Sequence, residues 1–225
     1  MKTLTTRFLA AFLMVSGVSF AQSAVEFKAA DPIGRNTVQF KTAAPLEDIV
    51  GITNKINGQI KVNPNDLRDA ATSARFEVDL ADLKTGIALR DTHMREQYLQ
   101  TDKYPTAIFT LERIRKASAS TLKPNSIVAL TVEGTFELHG VRRKVEVPAT
   151  VSYVPESESS MPKLPGNLLR VTSEFDIRLA DYNIERPQMV ILKVGDTARV
   201  SLDVFATDAG AEKLTMWMEK MMGGE

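Results

Sequence analysis

Apolar and polar residues alternate with a period of two along most of the chain. From Ile52 to Val62 the even positions are Ile52, Asn54, Ile56, Gly58, Ile60 and Val62, separated by Thr, Lys, Asn, Gln and Lys. From Val128 to Leu138 the even positions read Val, Leu, Val, Gly, Phe, Leu against Ala, Thr, Glu, Thr, Glu. Beyond a His139-Gly140 turn, Val145, Val147, Ala149, Val151 and Tyr153 alternate with Glu146, Thr150 and Ser152. Val171, Phe175, Ile177 and Leu179 repeat the pattern, as do Val200, Leu202 and Val204. Phe76, Val78 and Leu80 mark a shorter strand, and Tyr104 to Phe109 opens another. Each strand is wet on one face and apolar on the other, as in an antiparallel sheet that covers a core.

That apolar face needs a partner, and the chain offers too few helices to supply one. A single turn is predicted over Asn65 to Arg68, a longer helix over Asp91 to Leu99 with Asp91 as N-cap, and a third over Ala211 to Met222. The last carries Leu214, Trp217, Met218 and Met221 on one stripe. A sandwich or a closed barrel therefore covers the sheet. Gly58, Gly134 and Ala149 are small and face inward. In a barrel of about eight strands they leave room for a ligand or mark bulges and bends in a filled interior. The segment from Pro155 to Gly166 is rich in proline and serine and reads as an exposed loop.

The N-terminus adds an address. Lys2 and Arg7 precede the apolar run Phe8 to Val15, and Ser19-Phe20-Ala21 supplies small residues for cleavage, so residues 1–21 read as a signal peptide. The run is shorter than the roughly 20 residues that span a bilayer, and the mature chain is expected in the periplasm or outside the cell, without stable membrane insertion. Removing the signal leaves 26 basic residues against 28 acidic ones, which gives no electrostatic case for nucleic acid. The chain has no cysteine, which excludes disulfides, thiolate catalysis and thiolate metal sites, so an ordinary apolar core must hold the fold.

Candidate chemistry concentrates in Arg90-Asp91-Thr92-His93-Met94-Arg95, which holds one of the two histidines. The other, His139, sits at a hairpin tip. Asp91, His93 and His139 could form a weak metal or hydrolytic site, and Asp79, Asp82 and Glu96 offer further carboxylates, but nothing singles out a pair. No Gly-x-Ser-x-Gly elbow is present. The structural alternative has Asp91 capping its helix, Arg90 and Arg95 pairing with carboxylates, and His93 bonding to backbone. The Met- and Trp-rich C-terminal helix is a lid, a contact with membrane or partner, or a helix docked on the exterior; lacking a basic face, it is a poor match to an interfacial membrane helix.

Two motifs carry a resemblance. Thr85-Gly86, Arg90 to Arg95 and Lys103-Tyr104-Pro105-Thr106-Ala107-Ile108-Phe109 form the first. Val132 to Val141, ending at Val145-Glu146-Val147-Pro148, forms the second, and Gly58-Gln59-Ile60 with Pro64 and Leu67 agrees with both. From about Val25 to Ala206 the chain resembles the YceI-like family of exported lipid-binding barrels. The resemblance implies an all-β, eight-stranded antiparallel, lipocalin-like barrel over residues 22–210, followed by an amphipathic helix over 211–225. It implies a long apolar cavity that binds an isoprenoid lipid or quinone, with no catalysis and no cofactor. Tyr98 and Leu99 stand where many members carry paired phenylalanines, and the C-terminal tail and the Pro155 to Gly166 loop lie outside the family pattern.

The expected cavity wall is Ile56, Ile60, Phe76, Val78, Phe109, Val132, Phe136, Val147, Val151, Phe175 and Ile177, with Arg90, His93 and Arg95 holding a polar head group at the mouth. Against this carrier stand two other expectations: an enzyme or metal protein built on Asp91, His93 and His139, and a filled barrel acting through its outer surface as a stress-response interaction protein.

Overall fold

The computed structural model describes residues 24–29, 31–186 and 192–223; the predicted signal peptide and the last two residues lie outside them. The described residues form ten strands: β1 (Val25–Lys28), β2 (Thr37–Ala43), β3 (Asp48–Thr53), β4 (Ile56–Val62), β5 (Ser73–Asp79), β6 (Thr106–Ala117), β7 (Ile127–Leu138), β8 (Val141–Val154), β9 (Leu168–Arg178) and β10 (Thr197–Thr207). They bond in the order β1-β4-β5-β6-β7-β8-β9-β10-β2-β3, and β1 also meets β10 at Lys28 and Thr207. Every pairing is antiparallel.

The ten strands make eight staves. β1 and β2 both lie against β10, and they pair in turn with β4 and β3. They are two halves of one stave, the first ending at Lys28 and the second beginning at Thr37, and β3 and β4 are two halves of the next. The result is a closed eight-stranded antiparallel barrel, which leaves no long sheet edge unpaired. Asn36 repairs the first interruption. Its side chain is almost fully buried, donates to the Phe205 carbonyl at 3.1 Å and accepts from the Phe205 N–H at 2.8 Å. One amide thus replaces the strand residue that β10 lacks at that point.

The second interruption corrects the expected strand from Ile52 to Val62. In β3 the inward residues are Ile49, Gly51 and Thr53, whereas Val50 and Ile52 stand outside. Beyond Asn54 and Lys55 the inward set becomes Ile56, Ile60 and Val62. The break adds one residue to the count, and one residue moves every side chain to the other face. The predicted turn over Asn65 to Arg68 is a pair of bonded turns rather than helix.

The two ends differ. At one end the loops 63–72 and 118–126 are pinned together, Leu67 N–H to the Ser120 carbonyl at 2.9 Å and Leu122 N–H to the Pro64 carbonyl at 2.7 Å. Leu67 and Leu122 are buried there and plug the barrel. At the other end lie the two-residue β7–β8 hairpin, the β2–β3 turn, the β9–β10 connection and a helix, α1 (Ala88–His93), that runs into a wider π turn over Met94–Leu99. His139 and Gly140 both take positive φ, 52° and 75°, as a tight hairpin of this hand requires. A side chain at Gly140 would strike the Tyr104 ring at 2.5 Å.

The C-terminal helix, α2 (Ala211–Gly223), docks on the exterior at the plugged end. Trp217 Nε1–H donates to the Met161 carbonyl at 2.8 Å, Lys213 pairs with Glu156, and the Arg35 guanidinium lies 5.5 Å from the Trp217 ring. That position rules out the lid expected as one role of this helix, because the open end is opposite.

Candidate functional site

Inside the barrel is a cavity of about 590 Å³, within the range of roughly 300–1,000 Å³ typical of small-molecule sites. Its origin is visible in the wall. Leu130, Val171, Phe175, Val200 and Leu202 point inward and yet are only half-buried, because they face the cavity rather than other side chains. The expectation of a filled barrel is thereby corrected. The inward glycines do not create this space, which removes the first of the two roles that the sequence offers for them. A Cβ at Gly58 would meet the Phe76 ring at 2.5 Å, and one at Gly134 would meet the Thr110 carbonyl at 2.4 Å and the Phe109 ring at 2.7 Å. Those positions admit aromatic rings, and only Ala149 of the three small residues lines the cavity.

The structure brings together on the cavity wall Ile56, Ile60, Phe76, Val78, Phe109, Val132, Phe136, Val147, Val151, Phe175 and Ile177, together with Arg90 and His93 at the mouth. Arg95 is not among the residues on the wall; it lies just beyond Arg90 along the helix, where its charge acts on Asp91. Sequence reasoning missed Leu83, Met94 and Tyr98, which come from the connection before and after α1, and Glu185, Arg186 and Lys193 from the β9–β10 connection. Val171, Val200 and Leu202 carried the alternation signal and also line the cavity.

The mouth is held by a polar knot. The helix starts three residues before Asp91, so Asp91 is not its N-cap; Ile87 occupies that position without a side-chain cap. Asp91 is buried within the first turns and accepts from Thr85 N–H at 2.7 Å and from the Thr85 hydroxyl at 2.5 Å. Burial alone raises the Asp91 pKa, but the two Thr85 bonds and the charges of Arg95 and Arg90 outweigh it and hold the carboxyl below the ordinary aspartate range. Arg90 donates to the Thr85 hydroxyl at 2.8 Å and to the Thr85 carbonyl at 3.1 Å, and its other arm pairs with Glu47 in the β2–β3 turn. Its guanidinium is committed to structure, which leaves His93, exposed at the rim, as the ionisable group of the motif that faces the opening.

The two histidines do not share a site with Asp91. His139 Nδ1 lies 3.0 Å from the Tyr182 carbonyl, and its ring packs edge-on against Tyr104 at 4.6 Å. Among the described residues, no three His, Cys, Asp or Glu side chains come together as metal ligands would. The arrangement is an apolar chamber with a charged collar: it can take a long apolar molecule out of water and keep a polar end at the opening.

The YceI-like domain family model matches residues 20–206 of this chain. The chain belongs to the YceI-like family. No curated protein matches it significantly, but solved structures share the fold. The YceI-like chain is similar to BcnA of Burkholderia cenocepacia, with a TM-score of 0.62 and 17% identity over 79% of this chain and 100% of that one. It is similar to a polyisoprenoid binding domain from Saccharophagus degradans implicated in plant cell wall breakdown, with a TM-score of 0.60 and 18% identity over 82% and 98% of the two chains. A Campylobacter jejuni YceI protein follows, with a TM-score of 0.51 and 16% identity over 69% and 82%. The helix α2 lies beyond the family match.

Proposed function

We propose that this YceI-like barrel is a non-catalytic carrier or store for a long-chain apolar ligand, an isoprenoid lipid or an isoprenoid quinone, in the periplasm or outside the cell. The observation that carries the reading is the cavity of about 590 Å³ walled by aliphatic and aromatic side chains. Each methylene moved from water into such a wall stabilises the complex by about 0.8 kcal/mol. About ten methylenes give roughly 8 kcal/mol, on the scale of the association cost of about 4–15 kcal/mol, and longer chains exceed it. A relative of the same fold being a polyisoprenoid binding domain supports the class of ligand. Residues 1–21 would provide the export signal.

In this reading Ile56, Ile60, Phe76, Val78, Phe109, Val132, Phe136, Val147, Val151, Phe175 and Ile177 contact the chain of the ligand. His93 and Lys193 meet its polar end. An enzyme built on the histidines makes a different prediction, so His93→Ala combined with His139→Ala separates the two. Titration with a fluorescent polyprenol should give the variant an affinity within about fivefold of wild type, since a rim contact contributes at most about 0.5–1 kcal/mol. A loss of binding of tenfold or more in the folded double variant would contradict burial as the main driving force.

A further inference from the structure

We propose that the open end of the barrel docks on the surface of a lipid bilayer, so that the ligand passes between membrane and lumen without crossing water. This rests on the carrier reading and adds where the ligand is collected. Six large apolar side chains stand exposed at this end: Leu46 (67%), Val50 (44%) and Ile52 (46%) on the β2–β3 hairpin, Ile87 (51%) and Leu89 (66%) at α1, and Leu192 (54%) in the β9–β10 connection. Contiguous apolar surface of this kind marks an interaction site on a soluble protein.

The three segments form one rim. Leu46 N–H donates to the Leu192 carbonyl at 3.0 Å, Glu47 pairs with Arg90 of α1, and Ile52 exchanges backbone bonds with Lys84 at 2.9 and 3.0 Å. Ile87 and Leu89 also line the cavity, so apolar surface runs without a break from the lumen to the outside.

Continuity with the lumen identifies the occupant. A protein partner needs no such path, whereas a bilayer is the solvent from which a long-chain apolar ligand comes. Rim charges fit a near-neutral lipid surface: Glu47 is matched by Arg90, Asp48 by Lys41 and Asp82 by Lys84, and in the collar Glu185 stands against Arg186 and Lys193. Matched pairs neither demand anionic lipid nor oppose contact with a neutral one, and the apolar stems of Lys84 and Lys193 let their ammonium groups reach the head groups. Docking is peripheral: no described helix is long and apolar enough to cross a membrane.

The test is flotation of the full-length mature protein with phosphatidylcholine vesicles, comparing wild type, Leu46→Glu with Leu192→Glu (two rim residues that do not line the cavity), and the control Ile127→Glu, a residue 72% exposed at the plugged end. Wild type and control should float, and the rim variant should partition at least tenfold less, one buried leucine being equivalent to about a factor of ten or more. The rim variant should still take up polyprenol added from a water-miscible solvent but should load slowly from vesicles containing it. Wild type that takes up polyprenol from solvent but stays off the vesicles would overturn the docking and leave the carrier reading standing. Flotation with no polyprenol uptake by either route would do the reverse. Equal flotation of rim variant and wild type, or a requirement for anionic vesicles, would also overturn the proposal.

Discussion

Val171→Phe combined with Val200→Phe is expected to weaken long-chain lipid binding about 100-fold while the protein stays folded. Both residues line the cavity and are only half-buried although they point inward, so the added rings enter empty space. Overpacking a filled core costs about 1–3 kcal/mol; here that cost is small, and Tm should move by only a few degrees. The lipid, in contrast, loses the volume that three or four methylenes would occupy. At about 0.8 kcal/mol each this amounts to roughly 3 kcal/mol, or about two orders of magnitude in affinity. Polyprenol titration and thermal unfolding of the same samples check both halves. Unchanged affinity would place the ligand outside the lumen.

Asp91→Ala is expected to lower stability by about 1–3 kcal/mol at neutral pH, because it leaves the half-buried Thr85 N–H and hydroxyl hydrogens without their acceptor and removes the negative charge near Arg90 and Arg95. The same contact should be sensitive to acid. A carboxyl whose pKa is depressed in the folded state adds stability above its unfolded pKa and loses it as pH falls through the folded value. The gap between wild type and Asp91→Ala should therefore be largest at neutral pH and narrow as pH falls through and below the aspartate range. Urea unfolding of both proteins across that range measures it. A gap independent of pH would mean that Asp91 acts through packing rather than charge. Because Thr85, Arg90 and Glu47 tie α1 to the β2–β3 turn, the variant should also load and release lipid faster.

The parts of the fold that were legible in the sequence are those where one residue follows another in strict alternation. β7 and β8 show their inward faces directly, and their hairpin announces itself in His139-Gly140. β6 does not, because Glu112 and Arg115 are extra residues between paired positions; its inward set steps through Leu111, Ile114 and Ala117, three apart. The same physics hid the outward position of Ile52, since a break at Asn54–Lys55 leaves an apparently continuous pattern on both sides. β1 and β2 are short and held partly by a side chain, Asn36, that no periodicity reveals.

The site divides in a similar way. Wall residues on strands were legible because facing inward is a property of one strand. Whether they fill or line a space depends on the volumes of all eight staves together, and Gly58 and Gly134 show how that inference fails when a neighbouring ring takes the room. Arg90 and Arg95 are both cationic and five residues apart, and only the start of α1 decides which reaches the mouth. That start was obscured because Asp91, which looks like a cap, finds its partner six residues back, across Gly86 at φ 85°. The collar residues Glu185, Arg186 and Lys193 lie in a connection with no regular pattern to mark them.

The central claim is that the lumen holds a long apolar molecule. Native mass spectrometry of the protein purified from its own cell envelope, followed by organic extraction, tests it most directly. One long-chain isoprenoid lipid or quinone per barrel is expected, absent from the Val171→Phe, Val200→Phe protein prepared in the same way. An empty wild-type barrel that also takes up no added polyprenol would contradict it.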